Sequence, residues 1–91
     1  MENKRQYTRL FDAILSLKSE KECAEFLADL CTIKELNDMR DRLEVAQCLI
    51  DGDTYEIISI KTKMSSATIS RVNRCIKYGT GGYRKILGRI K

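Results

Sequence analysis

The chain has 91 residues, with 17 basic and 13 acidic side chains, a formal charge of +4, no histidine and no proline. That length supports one domain with a small core, so burial against a partner is a natural source of further stability. Without histidine the commonest general base is missing, and the cysteines at 23, 31, 48 and 75 contain no Cys-x-x-Cys pair, so neither an enzyme nor a zinc finger is expected.

Apolar residues recur near the helical period almost throughout, and no long stretch alternates at period two, which predicts an all-α chain. Tyr7, Leu10, Phe11, Ile14 and Leu17 form the first stripe. Ser19 followed by Glu22 is a capping-box pattern opening a second helix, whose stripe is Cys23, Phe26, Leu27 and Leu30. Thr32 with Glu35 repeats that pattern and opens the longest helix. Leu36, Met39, Leu43, Ala46 and Ile50 share one of its faces, and Gly52 stops it. Cys23, Cys31 and Cys48 fall where these stripes need a small hydrophobe, and their thiols are expected to be free.

Asp53 or Thr54 caps a short helix to about Lys61, and Ser65 or Ser66 caps the next, to about Tyr78. Gly79-Thr80-Gly81-Gly82 follows a helix and lacks the lysine-Ser/Thr pair of a phosphate loop, so it reads as a flexible connector. A last helix begins at Tyr83, with Ile86, Leu87 and Ile90 as its apolar face. The six helices make a single domain over residues 1–91: a dimerisation scaffold over 1–52, a helix-turn-helix over 53–78 and a C-terminal helix over 83–91. No segment resembles a leader or a long apolar span, so the cytoplasm is the expected location and no membrane partner is expected.

Charge and motif coincide in the C-terminal half. Residues 57–91 carry nine lysines and arginines and no aspartate or glutamate. Such a field attracts phosphate without regard to sequence. Within it, Ile58 and Ser59 supply an apolar and then a small residue where two helices cross, Met64 plugs the turn, and Ile69 and Val72 face inward. Lys63 occupies a turn position usually given to glycine and Thr62 a slot that is commonly apolar, and a turn one residue longer would account for both. Ser65, Ser66, Ala67, Thr68, Ser70 and Asn73 are short enough to approach base edges, while Lys61, Lys63, Arg74 and Lys77 suit phosphate. The partner these residues fit is double-stranded DNA. One recognition helix buries little, so a homodimer reading half-sites about 34 Å apart is the expected solution. The competing structural reading is an ordinary helical hairpin with a wet polar face.

Asp51-Gly52-Asp53-Thr54-Tyr55 followed by Ser66-Ala67-Thr68-Ile69-Ser70-Arg71-Val72-Asn73-Arg74-Cys75 resembles the tryptophan-repressor-like family. Leu30-Cys31-Thr32-Ile33 with Glu35-Leu36, and Tyr78-Gly79 with Gly81-Gly82-Tyr83, are similar to its YerC/YecD branch. The resemblance spans essentially the whole chain. It implies a six-helix fold, a dimer whose N-terminal helices interlace, and sequence-specific transcriptional regulation, most simply repression.

The resemblance also places a ligand site. In tryptophan repressors two arginines flank the indole and a threonine at the start of the long helix assists; these fall on Arg42, Arg71 and Thr32. Guanidinium can stack on an aromatic face and fork onto a carboxylate. Each residue also has an ordinary role: Arg42 pairing with Asp38, Thr32 as a cap, Arg71 on phosphate. The glycine that clears room for the indole is Val72 here, and Cys75 stands where those repressors carry a serine. No cofactor is therefore expected, tryptophan included. Two further functions fit the residues: a basic helical module docking on an acidic partner in the transcription machinery, and a regulator sensing an anionic amino acid through Arg42 and Arg71.

Overall fold

Local capping hydrogen bonds set the helix boundaries in the computed structural model, which describes residues 4–90. A 3-10 turn at Lys4–Tyr7 leads into α1 (Thr8–Leu15), followed by α2 (Glu20–Leu30), α3 (Ile33–Ile50), α4 (Tyr55–Thr62), α5 (Ser66–Tyr78) and α6 (Gly82–Arg89). There is no strand among the described residues.

Ser19 caps α2 by accepting from the Glu22 amide at 3.1 Å. The Glu22 carboxylate reaches back to the amide of Lys18 at 2.9 Å, one residue earlier than the usual capping box. Thr54 caps α4 and Ser65 caps α5, accepting from the Ile57 and Thr68 amides at 3.2 Å each. Caps of this kind are each worth about 1 kcal/mol. α3 ends as anticipated. Gly52 takes φ +91°, its amide donates to the Leu49 carbonyl at 3.1 Å, and the Asp53 amide donates to Cys48 at 3.0 Å, which together form a Schellman closure.

The residues up to Ile33 and those from Lys34 onward form two compact units. In the first, neither α1 nor α2 contains a buried residue. Tyr7 and Phe11 pair their rings at 6.2 Å, yet both remain more than a third exposed, as do Leu10, Ile14 and Leu30. Leu17 lies beyond the end of α1 and does not continue its stripe as a helical position.

The second unit holds the core: Val45 and Ala46 from α3, Ile58 from α4, Ile69 and Val72 from α5, and Leu87 from α6. Of Leu36, Met39, Leu43, Ala46 and Ile50, which share one face of α3 by spacing, only Ala46 is fully buried within the chain, and Leu36 and Ile50 are half-buried. The helix carries two apolar stripes. The one centred on Val45 and Ala46 packs within the unit, whereas Met39 and Leu43 are about two-fifths exposed.

The connector before α6 is more constrained than a flexible link. Gly79 donates its amide to the Cys75 carbonyl oxygen, and a Cβ on Gly79 would collide with that same oxygen. Gly81 caps α6 with φ +85°. No helix among the described residues is long and apolar enough to cross a membrane.

Candidate nucleic-acid interface

The interface is set by how α4 and α5 meet. Ile58, Ile69 and Val72 bring the two helices together in the dry core, and the half-buried Met64 packs against them from the turn. Only Lys63, Met64 and Ser65 separate the helices. The longer turn considered from the sequence is therefore not what forms, and both unusual residues have a local explanation. Thr62 Oγ1 donates to the Ile58 carbonyl at 2.7 Å and accepts from the Met64 amide at 3.2 Å, so a hydroxyl pins the turn where an apolar side chain is common. Lys63 adopts φ 60°, ψ 20°, the left-handed conformation that glycine usually supplies.

Lys63 is the one non-glycine residue with positive φ among those described, and it is exposed beside the start of α5. For an L-residue that conformation costs roughly 1–2 kcal/mol, and a glycine there would give back roughly 0.4–1 kcal/mol in unfolded-state entropy. Relief of strain wins, so Lys63→Gly is expected to raise stability by up to about 1.6 kcal/mol. The same variant should lower the salt dependence of duplex binding by about one counterion if Lys63 holds a phosphate. Thermal melts and salt titrations check the two effects separately; an unchanged salt slope would remove Lys63 from the contact set.

Ser66, Ala67, Ser70, Arg71, Arg74 and Lys77 are exposed on α5. Ser65 and Thr68 are partly engaged with one another, Ser65 Oγ donating to Thr68 Oγ1 at 3.2 Å while it caps the helix. Two other residues nominated from the sequence are held by neighbours. Lys61 Nζ pairs with Asp53 Oδ2 at 2.9 Å, and this hydrogen bond and charge raise the lysine pKa, so its ammonium stays charged and already has a carboxylate partner. Asn73 Nδ2 donates to the Tyr55 hydroxyl at 3.0 Å. Tyr55 was not among the nominated residues. Only the helix crossing brings it to Asn73, 18 positions along the chain, and no spacing rule signals that.

Arg42 and Arg71 line one cleft of about 210 Å³ together with Asp38, Met64, Thr68 and Val72. Asp38 pairs with Lys34 at 3.0 Å rather than with Arg42, which makes no ion pair among the described residues. Val72 is 1% exposed, so it belongs to the core while bordering the cleft. Thr32 precedes α3 and belongs to the N-terminal unit. Cys75 lines a different cleft of about 540 Å³, with Leu43, Tyr83 and Ile86 among its walls. Partial burial raises the Cys48 thiol pKa, and the charge of Asp53 raises it further, which disfavours the thiolate. Among the described residues no group of three or more histidine, cysteine or acidic side chains is placed to hold a metal.

The family model described as Trp repressor protein matches residues 5–91. The chain is 48% identical over 87 residues to the uncharacterized protein YerC of Bacillus subtilis strain 168, covering 96% of this chain and 84% of that one. A solved TrpR-like protein from Eubacterium eligens is 45% identical with a TM-score of 0.90, over 94% of this chain and 89% of its own. A candidate Trp repressor from Staphylococcus aureus is 39% identical with a TM-score of 0.92, over 99% and 94% respectively.

Proposed function

The chain belongs to the Trp repressor family, and on that premise we propose that it is a transcriptional repressor that docks α5 in the major groove of duplex DNA as a homodimer. The family is one of transcription regulators and not of enzymes. The observation that carries the proposal is the outer face of α5. Ser66, Ala67 and Ser70 are exposed near its capped N-terminus, Arg74 and Lys77 follow, and no acidic residue occurs after Glu56. Short side chains at the start of a recognition helix reach base edges, and cations farther along meet phosphate. With Lys61 already paired to Asp53, Lys63, Arg74 and Lys77 form the stronger phosphate set.

The homodimer is supported by the N-terminal unit, whose amphipathic helices contain no fully buried residue within one chain and leave Leu10, Ile14 and Leu30 exposed. Apolar area left in water forgoes roughly 25 cal/mol per Å², and a second copy with the same faces would recover it. Selection of bound sequences from a random duplex pool, followed by footprinting, tests the whole reading. The expected result is a footprint with two-fold symmetry from a protein that sediments as a dimer. Binding without any preferred sequence would reduce the protein to a general polyanion binder.

Ser66→Ala is expected to change sequence preference more than total affinity, whereas Arg74→Ala or Lys77→Ala should weaken all duplexes alike. A lost base contact costs about 1–3 kcal/mol at one position, and a lost phosphate contact lowers the salt slope by about one. Equal, uniform losses from both classes would place the docking face elsewhere.

A ligand-responsive form of the same regulator is the second reading, because Arg42 and Arg71 converge on one cleft. Two guanidinium groups favour an anionic ligand. Asp38 on the same wall and a volume of about 210 Å³ argue for something smaller than tryptophan, since ligand pockets usually run to about 300–1,000 Å³.

A further inference from the structure

The crossing of α4 and α5 contains a polar link that base reading and lysine contacts do not use. Tyr55 is the first residue of α4, and its phenol oxygen accepts a 3.0 Å hydrogen bond from Asn73 on α5. No other side-chain hydrogen bond joins these two helices among the described residues. Asn73 lies on one helical stripe with Ser66, Ser70 and Lys77, the face assigned to DNA, because spacings of four, seven and eleven residues return to the same side. The phenol oxygen bonded to Asn73 therefore sits at the edge of the docking face.

A tyrosine oxygen that accepts one hydrogen bond still carries its own proton. No acceptor for that proton exists among the described residues, and the side chain is 39% exposed. Asn73 is seven residues beyond Ser66, about 10 Å along the helix axis at 1.5 Å per residue. Bases are read by the first turns of a recognition helix, so a group this far along meets the sugar-phosphate backbone instead. Glu56 follows Tyr55 in sequence, but adjacent helical residues point about 100° apart, which directs its carboxylate away from the phenol.

We propose that Tyr55 is a phosphate-binding residue: its hydroxyl donates to a DNA phosphate oxygen while Asn73 holds the phenol in place. Donation from the asparagine amide into the phenol oxygen polarises the O–H and strengthens it as a donor. The contact adds no charge, which separates it from those of Lys63, Arg74 and Lys77. This inference rests on the DNA-binding reading above.

The test uses full-length protein and a duplex recovered by selection from a random pool, with single phosphates replaced by neutral methylphosphonate. Tyr55→Phe keeps the ring and removes only the hydroxyl. Its affinity is expected to fall about tenfold, the size of a hydrogen bond to a charged group, with the salt slope unchanged. At one phosphate per half-site, methylphosphonate should weaken wild-type binding but add little to the loss in Tyr55→Phe. Unchanged affinity in the variant would overturn the proposal. So would a lower melting temperature with an affinity loss that no single phosphate position cancels, because Tyr55 would then be only a tie between helices. Failure of the wild type to bind any duplex at low salt would instead overturn the DNA-binding reading itself.

Discussion

Ile58→Ala is expected to melt at least about 8 °C below the wild type and to lose DNA binding at temperatures where the wild type is intact. Ile58 has no exposed surface and packs in a core with Val45, Ala46, Ile69, Val72 and Leu87. Truncating a buried isoleucine to alanine costs about 2–5 kcal/mol, against a total stability of about 5–15 kcal/mol for a typical domain. Each kcal/mol moves the melting temperature by about 4–8 °C at this chain length. Binding falls with stability because the same side chain sets the distance between α4 and the recognition helix. Ile60→Ala, two residues along the same helix, is the control: Ile60 is 71% exposed and its loss should stay within about 0.5 kcal/mol. Melts of the two variants followed by circular dichroism decide the matter. Equal, small shifts would mean that the crossing is not built around Ile58.

That contrast marks where the sequence could be read and where it could not. Ser19 was legible as a cap because a cap is a contact over three residues; Thr54 and Ser65 were each one of two adjacent candidates, beside Asp53 and Ser66, and Gly52 was legible because the Schellman closure needs its positive φ. The buried face of α3 was not, because the helix has apolar residues on two sides and periodicity alone cannot say which side this chain covers. Asp38 was paired with Arg42 from the spacing, but Lys34 also stands four residues away, and the structure selects Lys34. Lys61 and Asn73 carry the right chemistry for DNA, yet what each touches depends on groups eight and eighteen positions distant. Those pairings exist only once the Gly52 turn and the α4–α5 crossing have formed. Thr62 looked anomalous because its slot is normally apolar, and its two hydrogen bonds became visible only with the turn itself.

Val72 carries the expectation with the largest consequence for regulation. Its side chain is 1% exposed, packs in the core, and borders the cleft that Arg42 and Arg71 share. The wild type is therefore expected to bind its DNA equally well with and without L-tryptophan, with no heat of tryptophan binding in calorimetry. Val72→Gly should enlarge the cleft at a cost of about 1 kcal/mol in helix propensity, plus about 1.5–3 kcal/mol of lost valine burial. A core this small will feel such a loss, so Val72→Ala serves as a companion that opens part of the space with little propensity cost. Arg42 makes no competing ion pair among the described residues, so a ligand carboxylate entering the widened cleft would find a free guanidinium, opposed by Asp38. Tryptophan binding that appears in the glycine variant and is absent from the wild type would identify Val72 as the plug. Stoichiometric, micromolar binding to the wild type would refute that assignment. Linkage then requires that DNA tighten tryptophan binding by the same factor by which tryptophan tightens DNA binding, and measuring both affinities would separate a working corepressor from an incidental ligand.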